Sequence, residues 1–177
     1  MRTLDRAIAL ANDTLAYGKA GERAPLPGPV DLKDLAQEVA APAGALNAAR
    51  TRFVNAVPEG FIVEADGEQL YRILLNLLRN AVQAIEADGT AASLTISAAR
   101  GDGITIIDVS DTGPGIPDRI LPHLFEPFGV SGKGGGAGLG LAIARELARA
   151  HGGDLIFTGS GAGGTSFRLT LPAEGRA

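Results

Sequence analysis

Asn76 and Asn80 stand four residues apart in the segment LLNLLRNAVQAI. On a helix that spacing places both amides on one face, a turn apart, close to Gln83 and Ala84. A carboxamide oxygen is a hard, neutral ligand, suited to a magnesium ion that keeps most of its water and bridges phosphates. Two asparagines beside an apolar stripe cost helix propensity and need partners if buried. On a lone helix, two satisfied boundary amides would be the preferred explanation. A second group is Asp111-Thr112-Gly113-Pro114-Gly115-Ile116-Pro117. An aspartate at a strand end, followed by alternating glycines, sets a carboxylate acceptor beside backbone that a flat ring can approach. An adenine amino group is a fitting donor for it, although a tight turn accounts for the same string. The third group runs from Gly132 through Lys133, Gly134, Gly135, Gly136, Ala137, Gly138, Leu139 and Gly140 to Leu141. Bare backbone amides at a helix start form a nest for phosphates, and Lys133 adds a mobile positive charge. A plain flexible loop is the alternative. The stretch contains GxGxxG-like spacings, but a dinucleotide fold places that turn after its first strand. Here it follows a loop late in the chain.

These groups need elements to hold them. Asp66, three residues before Gln69, starts a long helix that runs through Ile85 and that Gly89 ends. Its core stripe is Leu70, Leu74, Leu77, Leu78, Ala81 and Ile85, and its wet stripe Arg72, Arg79 and Glu86. Strands are expected at 51–57, 61–65, 93–99, 103–111, 154–160 and 165–172, with helices from Asp31 to about Ala49 and from Leu139 to Ala150. Pro42 should kink or interrupt the former. Residues 1–19 read as one amphipathic helix through Leu4, Ile8, Ala11 and Leu15, too short to be stable alone. AGERAPLPGPV (20–30), with three prolines and two glycines, reads as a linker. Three helices and about five strands imply an α/β (α+β) two-layer sandwich with a mixed sheet. There is no internal repeat and no strand-GxxxxGK[ST]-helix unit.

Composition narrows the chemistry. The chain has 177 residues, 45% hydrophobic and 20% charged, which is a globular balance for one domain with a short appendage. A net charge of −4 offers no basic field for nucleic acid or anionic lipid. The chain has no cysteine, which excludes thiol catalysis and disulfides, and only two histidines, His123 and His151. Nothing has the length of a membrane span or the layout of a signal peptide. A cytoplasmic domain is expected, with membrane attachment of a longer parent left open.

Taken in order, LLNLLRNAVQAI, DTGPGIP, LFEPF (124–128) and GGGAGLGLAIAREL resemble the N box, first glycine box, F box and second glycine box of bacterial sensor histidine kinases. HGGDL (151–155) and GGTSFRLTLP (163–172) are similar to that family's closing segments. The resemblance covers roughly residues 31–172. It is closest to the nitrogen-regulation type, since NAVQA stands where many members carry a basic residue and an aromatic. It implies a Bergerat-type site for ATP and Mg2+. Asn80 matches the magnesium-binding asparagine and Asn76 supports the ion and phosphates, with Gln83 and Ala84 adjoining. Asp111 matches the adenine-binding aspartate, beside Gly113, Gly115 and Ile116. Gly136, Ala137, Gly138, Leu139 and Gly140 lie under the triphosphate. Residues from about Phe125 to Gly135, including Lys133, form a lid anchored by Phe125 and Phe128. ATP-hydrolysing cousins carry a glutamate at the position of Asn76. An amide cannot take up water's proton, which implies that ATP is held for transfer.

Two features depart from that pattern. The family's phosphate-accepting histidine, on the first helix of a dimerisation hairpin, has no counterpart: His123 and His151 occupy positions where members carry non-accepting histidines. TLDRAIALANDTLAYGK is similar to the second helix of that hairpin, so the chain is expected to begin midway through it. The implied organisation is a partial dimerisation helix at 1–20, a linker at 21–30 and the catalytic ATP-binding domain at 31–177. The expected partners are a histidine-bearing dimerisation domain, in cis in a longer parent or in trans, and indirectly a response regulator receiver domain. Neither nucleic acid nor membrane contact is expected. Ala137 replaces a common threonine beside the terminal phosphate, at a cost of about 1 kcal/mol in binding. The implied activity is that of a protein histidine kinase, with this chain binding ATP but unable to phosphorylate itself. The alternatives are a pseudokinase or phosphotransfer adaptor, and an anti-sigma-type serine kinase.

Overall fold

Asp31 ends a strand and Asp66 follows one, and each begins a helix. The computed structural model describes residues 23–128, 138–161 and 163–173. In it Asp31 closes β1 (Gly28–Asp31) and its carboxylate accepts from the Lys33 and Asp34 amides, starting α1 (Leu32–Ala40). Asp66 follows β3 (Ile62–Ala65) and accepts from the Glu68 and Gln69 amides, starting α2 (Gly67–Asp88). Each cap is worth about 1 kcal/mol. Gly89 ends α2 with φ +86, its N–H donating to the Ile85 carbonyl.

α1 stops at Ala40 rather than near Ala49 because Pro42 has no N–H and its ring crowds the preceding turn; short turns carry the chain onward. Part of the expected linker is also ordered into a strand: β1 pairs antiparallel with β3, from Gly28 opposite Ala65 to Asp31 opposite Ile62. Prolines are tolerated there because the ribbon has only two strands, both of them edges.

The main sheet is mixed and five-stranded, in the order β2-β4-β5-β7-β6. β2 (Thr51–Asn55) runs parallel to β4 (Ala92–Arg100), and β4, β5 (Ile104–Asp111), β7 (Gly164–Pro172) and β6 (Asp154–Gly161) are successively antiparallel. Alternation sorts the faces. Thr105, Ile107, Val109 and Asp111 of β5 point inward and are buried. Asp108, on the outer face, takes both Nε and Nη2 of Arg168 on β7, its register partner, at 2.8 and 2.9 Å.

The helices cover the inner face. Leu70, Leu74, Leu77, Leu78, Ala81 and Ile85 of α2 form one core with Leu94, Ile96, Ile107, Leu155 and Leu169 of the sheet. Each leucine fully withdrawn from water contributes roughly 1.5–3 kcal/mol. Ile143, Ala144, Leu147 and Ala148 of α3 (Gly140–Ala150) join the same core. Among the described residues the result is a two-layer α/β sandwich with three α-helices over a five-stranded sheet, plus the β1–β3 ribbon. Among the described residues no helix is long and apolar enough to cross a membrane.

Candidate functional site

α2 and α3 run antiparallel, and the start of α3 meets the middle of α2. A Cβ added at Gly140 would lie 3.5 Å from Asn76 Oδ1, so the glycine brings the α3 backbone onto the Asn76 amide. Leu139, at the N-cap, supplies no side-chain hydrogen bond, and the first turn of α3 holds no acidic residue. The Ile143 amide donates to the Leu139 carbonyl at 2.9 Å, which leaves the N–H groups of Gly140 and Leu141 without carbonyl partners inside the helix. Asn76 and Asn80 are half-buried on α2 and, among the described residues, have no hydrogen-bond partner; Gln83 and Ala84, a turn further on, are exposed. Free amides at a helix start favour an anion, and carboxamide oxygens beside it suit a hydrated divalent cation.

The other end of the site is built around Asp111. Its side chain is buried at 8% exposure, and one oxygen accepts from the Gly113 amide at 2.8 Å. Burial pushes its pKa up, and hydrogen bonds from Gly113 and from the Thr165 amide and hydroxyl only partly offset this. Thr112 extends the β4–β5 pairing beyond the strand: its amide donates to the Ser93 carbonyl and its Oγ accepts from the Ser93 amide, both at 2.9 Å. A Cβ on Gly113 would sit 2.9 Å from Asp111 Oδ1 and 3.0 Å from Ile85 Cγ1, so this glycine lets the turn lie against α2. Gly164 is still tighter. At φ +98, a Cβ there would fall 1.8 Å from the Asp111 carbonyl oxygen. Gly164 and Thr165, which fix Asp111 from β7, were not expected as site residues. Their signal was the Gly-Gly-Thr at the start of the closing strand.

α2 therefore touches both glycine segments, at Asn76 and at Ile85, nine residues apart on one unbroken helix. At 1.5 Å per residue the two contacts lie about 13 Å apart along its axis. The arrangement provides an acceptor for a ring amino group at one end and bare amides for a polyanion at the other.

The remaining expected residues divide. Ile116 packs partly buried against the core, Gly115 and Gly138 adopt φ of +76 and +71, and Leu139 is buried. Phe125 packs edge-on to Phe167, with ring centroids 6.3 Å apart, and carries the Arg145 guanidinium 4.6 Å above its ring. Phe128 does not join this cluster; it is 55% exposed, with φ +62. Lys133, Gly136 and Ala137 lie outside the described residues, as does the helix expected over 1–20. His123 pairs with Glu126 at 2.7 Å on the surface. His151 has both nitrogens engaged: Nδ1 lies 2.8 Å from the Leu147 carbonyl and Nε2 accepts from the Asp66 amide at 3.1 Å.

Residues 65–175 match the family described as histidine kinase-, DNA gyrase B- and HSP90-like ATPases, HATPase_c, over more than half of the chain. The chain belongs to the HATPase_c family. Within HATPase_c it is the catalytic ATP-binding domain of the sensor histidine kinase type, with nitrogen-regulation relatives. The sensory histidine kinase/phosphatase NtrB of Salmonella typhimurium is 45% identical over 115 residues, 60% of this chain and 32% of that protein. Full-length ShkA, solved in complex with AMPPNP, superposes with a TM-score of 0.79 at 32% identity, covering 98% of this chain and 37% of that one. The histidine kinase ThkA, solved in complex with the response regulator protein TrrA, gives 0.74 at 26% identity, covering 97% of this chain and 48% of that one. This chain spans about a third of the length of the curated relatives it matches.

Proposed function

We propose that this chain holds Mg-ATP for γ-phosphoryl transfer to a histidine on a dimerisation helix supplied by a longer parent in cis or by another chain in trans. The observation that carries the reading is the double contact of α2, with Gly140 on Asn76 and Gly113 against Ile85. It aligns an adenine acceptor and a phosphate nest along one helix. Asp111 takes the adenine amino group, with Gly113, Gly115 and Ile116 beside the ring. Asn80 is the magnesium ligand and Asn76 supports the ion and phosphates; Gln83 and Ala84 border them on α2. Gly138, Leu139 and Gly140 present backbone to the phosphates, and Lys133, Gly136 and Ala137 are assigned to the same nest by resemblance. Phe125 and Phe128 flank the stretch assigned as the lid.

The donor set fits the group it would hold: two neutral amide oxygens, uncapped N–H groups and no competing acid in the first turn of α3. When bound, magnesium neutralises the charge that builds on the phosphoryl oxygens. Asn76 cannot serve as a general base for water, which favours transfer over hydrolysis. The ThkA–TrrA complex supports a response regulator as the downstream partner. Residues 1–20 are assigned to the second helix of a dimerisation hairpin, 21–30 to the linker and 31–177 to the catalytic domain, all working in the cytoplasm.

The test is labelling with γ-labelled ATP. The chain alone is expected to stay unlabelled, and an added histidine-bearing hairpin domain to acquire acid-labile label. Strong self-labelling on histidine, or acid-stable label on serine, would overturn the reading. So would the absence of any thermal shift with millimolar Mg-ATP, which would favour the adaptor alternative.

A further inference from the structure

The far end of the α2–α3 pair is a junction that the nucleotide site does not use. The Asp66 carboxylate accepts from four donors: the Glu68 and Gln69 amides that it caps (both 3.1 Å), the Leu26 amide (3.0 Å) and Arg23 Nη2 (2.5 Å). The Asp66 amide itself donates to His151 Nε2, and His151 sits at the C-terminus of α3 with Nδ1 against the Leu147 carbonyl. Gln69, 6% exposed, donates from Nε2 to the Arg23 carbonyl at 3.2 Å, while its buried Oε1 has no partner among the described residues. An apolar side chain would bury there at lower cost than a half-satisfied amide, so the chemistry of Gln69 is directed at the linker backbone. Residues 23–26 are thus gripped by side chain, amide and carbonyl at one point, where α2 begins and α3 ends.

The opposite end of this pair is the phosphate end of the site. Asn76 lies ten residues from Asp66 on an unbroken helix, about 15 Å along its axis. α3 spans the same distance back, from His151 beside Asp66 to Gly140 on Asn76. Close packing between the two helices transmits strain along their length instead of absorbing it. Any shift of the linker end therefore changes how the Asn76 amide meets the start of α3.

We propose that Arg23–Leu26 is an intramolecular docking segment, seated on Asp66 and Gln69, whose seating and nucleotide binding strengthen each other through the α2–α3 pair. This rests on the reading of the site given above. It makes the linker the point at which a preceding segment controls the catalytic domain: pulling Arg23 away loosens the nucleotide end, and nucleotide holds the linker down. Linkage requires the two effects to be equal in size.

The test uses the full chain in three forms: parent, Arg23→Ala and Arg23→Lys. Arg23→Ala leaves the α2 cap made by Asp66 intact, so folding is preserved. Amide exchange at Leu26 is followed by NMR with and without Mg-AMPPNP, and the dissociation constant for Mg-ATP is measured for each form. Saturating nucleotide is expected to slow Leu26 exchange in the parent about fivefold or more, a typical lower bound for coupling between sites. Arg23→Ala is expected to weaken nucleotide by the same factor, and Arg23→Lys to recover most of it. Nucleotide binding with unchanged Leu26 exchange, or with equal affinity in all three forms, would overturn the coupling while leaving the site intact. A parent chain that binds no nucleotide would overturn the reading of the site itself, and the coupling with it.

Discussion

At one end of the α2–α3 pair the polar groups, Gln69 Oε1 excepted, are answered by protein. Asp66 accepts four hydrogen bonds, its amide is taken by His151, and His151 has no free nitrogen. At the other end α3 starts without a side-chain cap, and Asn76 and Asn80 have no partner among the described residues. Every helix terminus leaves four backbone groups to be satisfied. Where the sequence supplies an aspartate, the end becomes a structural joint; where it supplies glycine and leucine, the backbone N–H groups stay uncapped, and there the proposed reading seats the phosphates. On the proposed reading the same helices thus carry stability at one end and recognition at the other. Substitutions at the first, Arg23 excepted because of the coupling proposed above, should register mainly in melting and those at the second mainly in affinity.

Gly164 is where this division breaks most strongly. It belongs to the recognition end through its contact with Asp111, yet its φ of +98 and a Cβ position 1.8 Å from the Asp111 carbonyl oxygen leave no room for alanine. Left-handed strain and overpacking together cost on the order of 4 kcal/mol. Gly164→Ala is therefore expected to lower the melting temperature by about 10 °C and to abolish nucleotide binding, read by thermal denaturation and calorimetric titration. A melting point within a few degrees of the parent would show that the β6–β7 turn yields and that Asp111 is held less tightly than described.

Asp111→Asn sharpens the division. The substitution removes a charged acceptor whose bond to a donor is worth about 1.5–3 kcal/mol, so nucleotide should bind roughly 10- to 100-fold more weakly. Burial already disfavours the ionised form of Asp111, and the neutral amide is therefore expected to leave the melting temperature unchanged or slightly higher. A large loss of stability with intact affinity would place Asp111 at the structural end instead.

Much of this division was legible in the sequence, and the exceptions share a cause. Asp66 with Gln69, the stripe from Leu70 to Ile85 and the stop at Gly89 are local signals, and α2 follows them within three residues. Asn76 and Asn80 were placed by helix geometry alone. What escaped was set by contacts distant in sequence. Residues 28–30 look like linker, with Pro29 among them, until β3 pairs with them more than thirty positions later. Thr165 is one polar residue in a β-strand until the sheet brings it beside Asp111. Arg23 and Gln69 gave no sign of their meeting, because a hydrogen bond across forty-six positions leaves no periodic trace. Phe128 read as a second aromatic anchor like Phe125, but the chain turns at φ +62 and leaves its ring exposed.

Acid titration sets the two ends against each other with the smallest expected effect. Burial tends to raise the Asp66 pKa, but hydrogen bonds from Leu26, Gln69 and Arg23 bring it below the usual carboxylate value. Asp154 is held at about 2 against its partial burial, first by hydrogen bonds from Arg145 at 2.9 and 3.2 Å, then by the Leu155 amide at 2.8 Å and Arg149 at 3.1 Å. A carboxylate with a depressed folded pKa stabilises the fold above its unfolded value, near 3.9, and that contribution is lost as pH falls towards the folded value. Asp111 is shifted the other way: its protonation favours the folded state but removes the acceptor that the proposed adenine contact uses. Affinity should therefore decline at a higher pH than the one at which these acids begin to release the fold, leaving a window of folded, non-binding protein. Circular dichroism and nucleotide titration across the same pH series read the two separately. Asp154→Asn should move only the unfolding curve, and by less than about 1 kcal/mol, because its partners are partly exposed and solvent screens the pair. If binding and folding were lost at one pH, Asp111 would be titrating as an ordinary surface acid, and the contrast between the two ends would not be electrostatic.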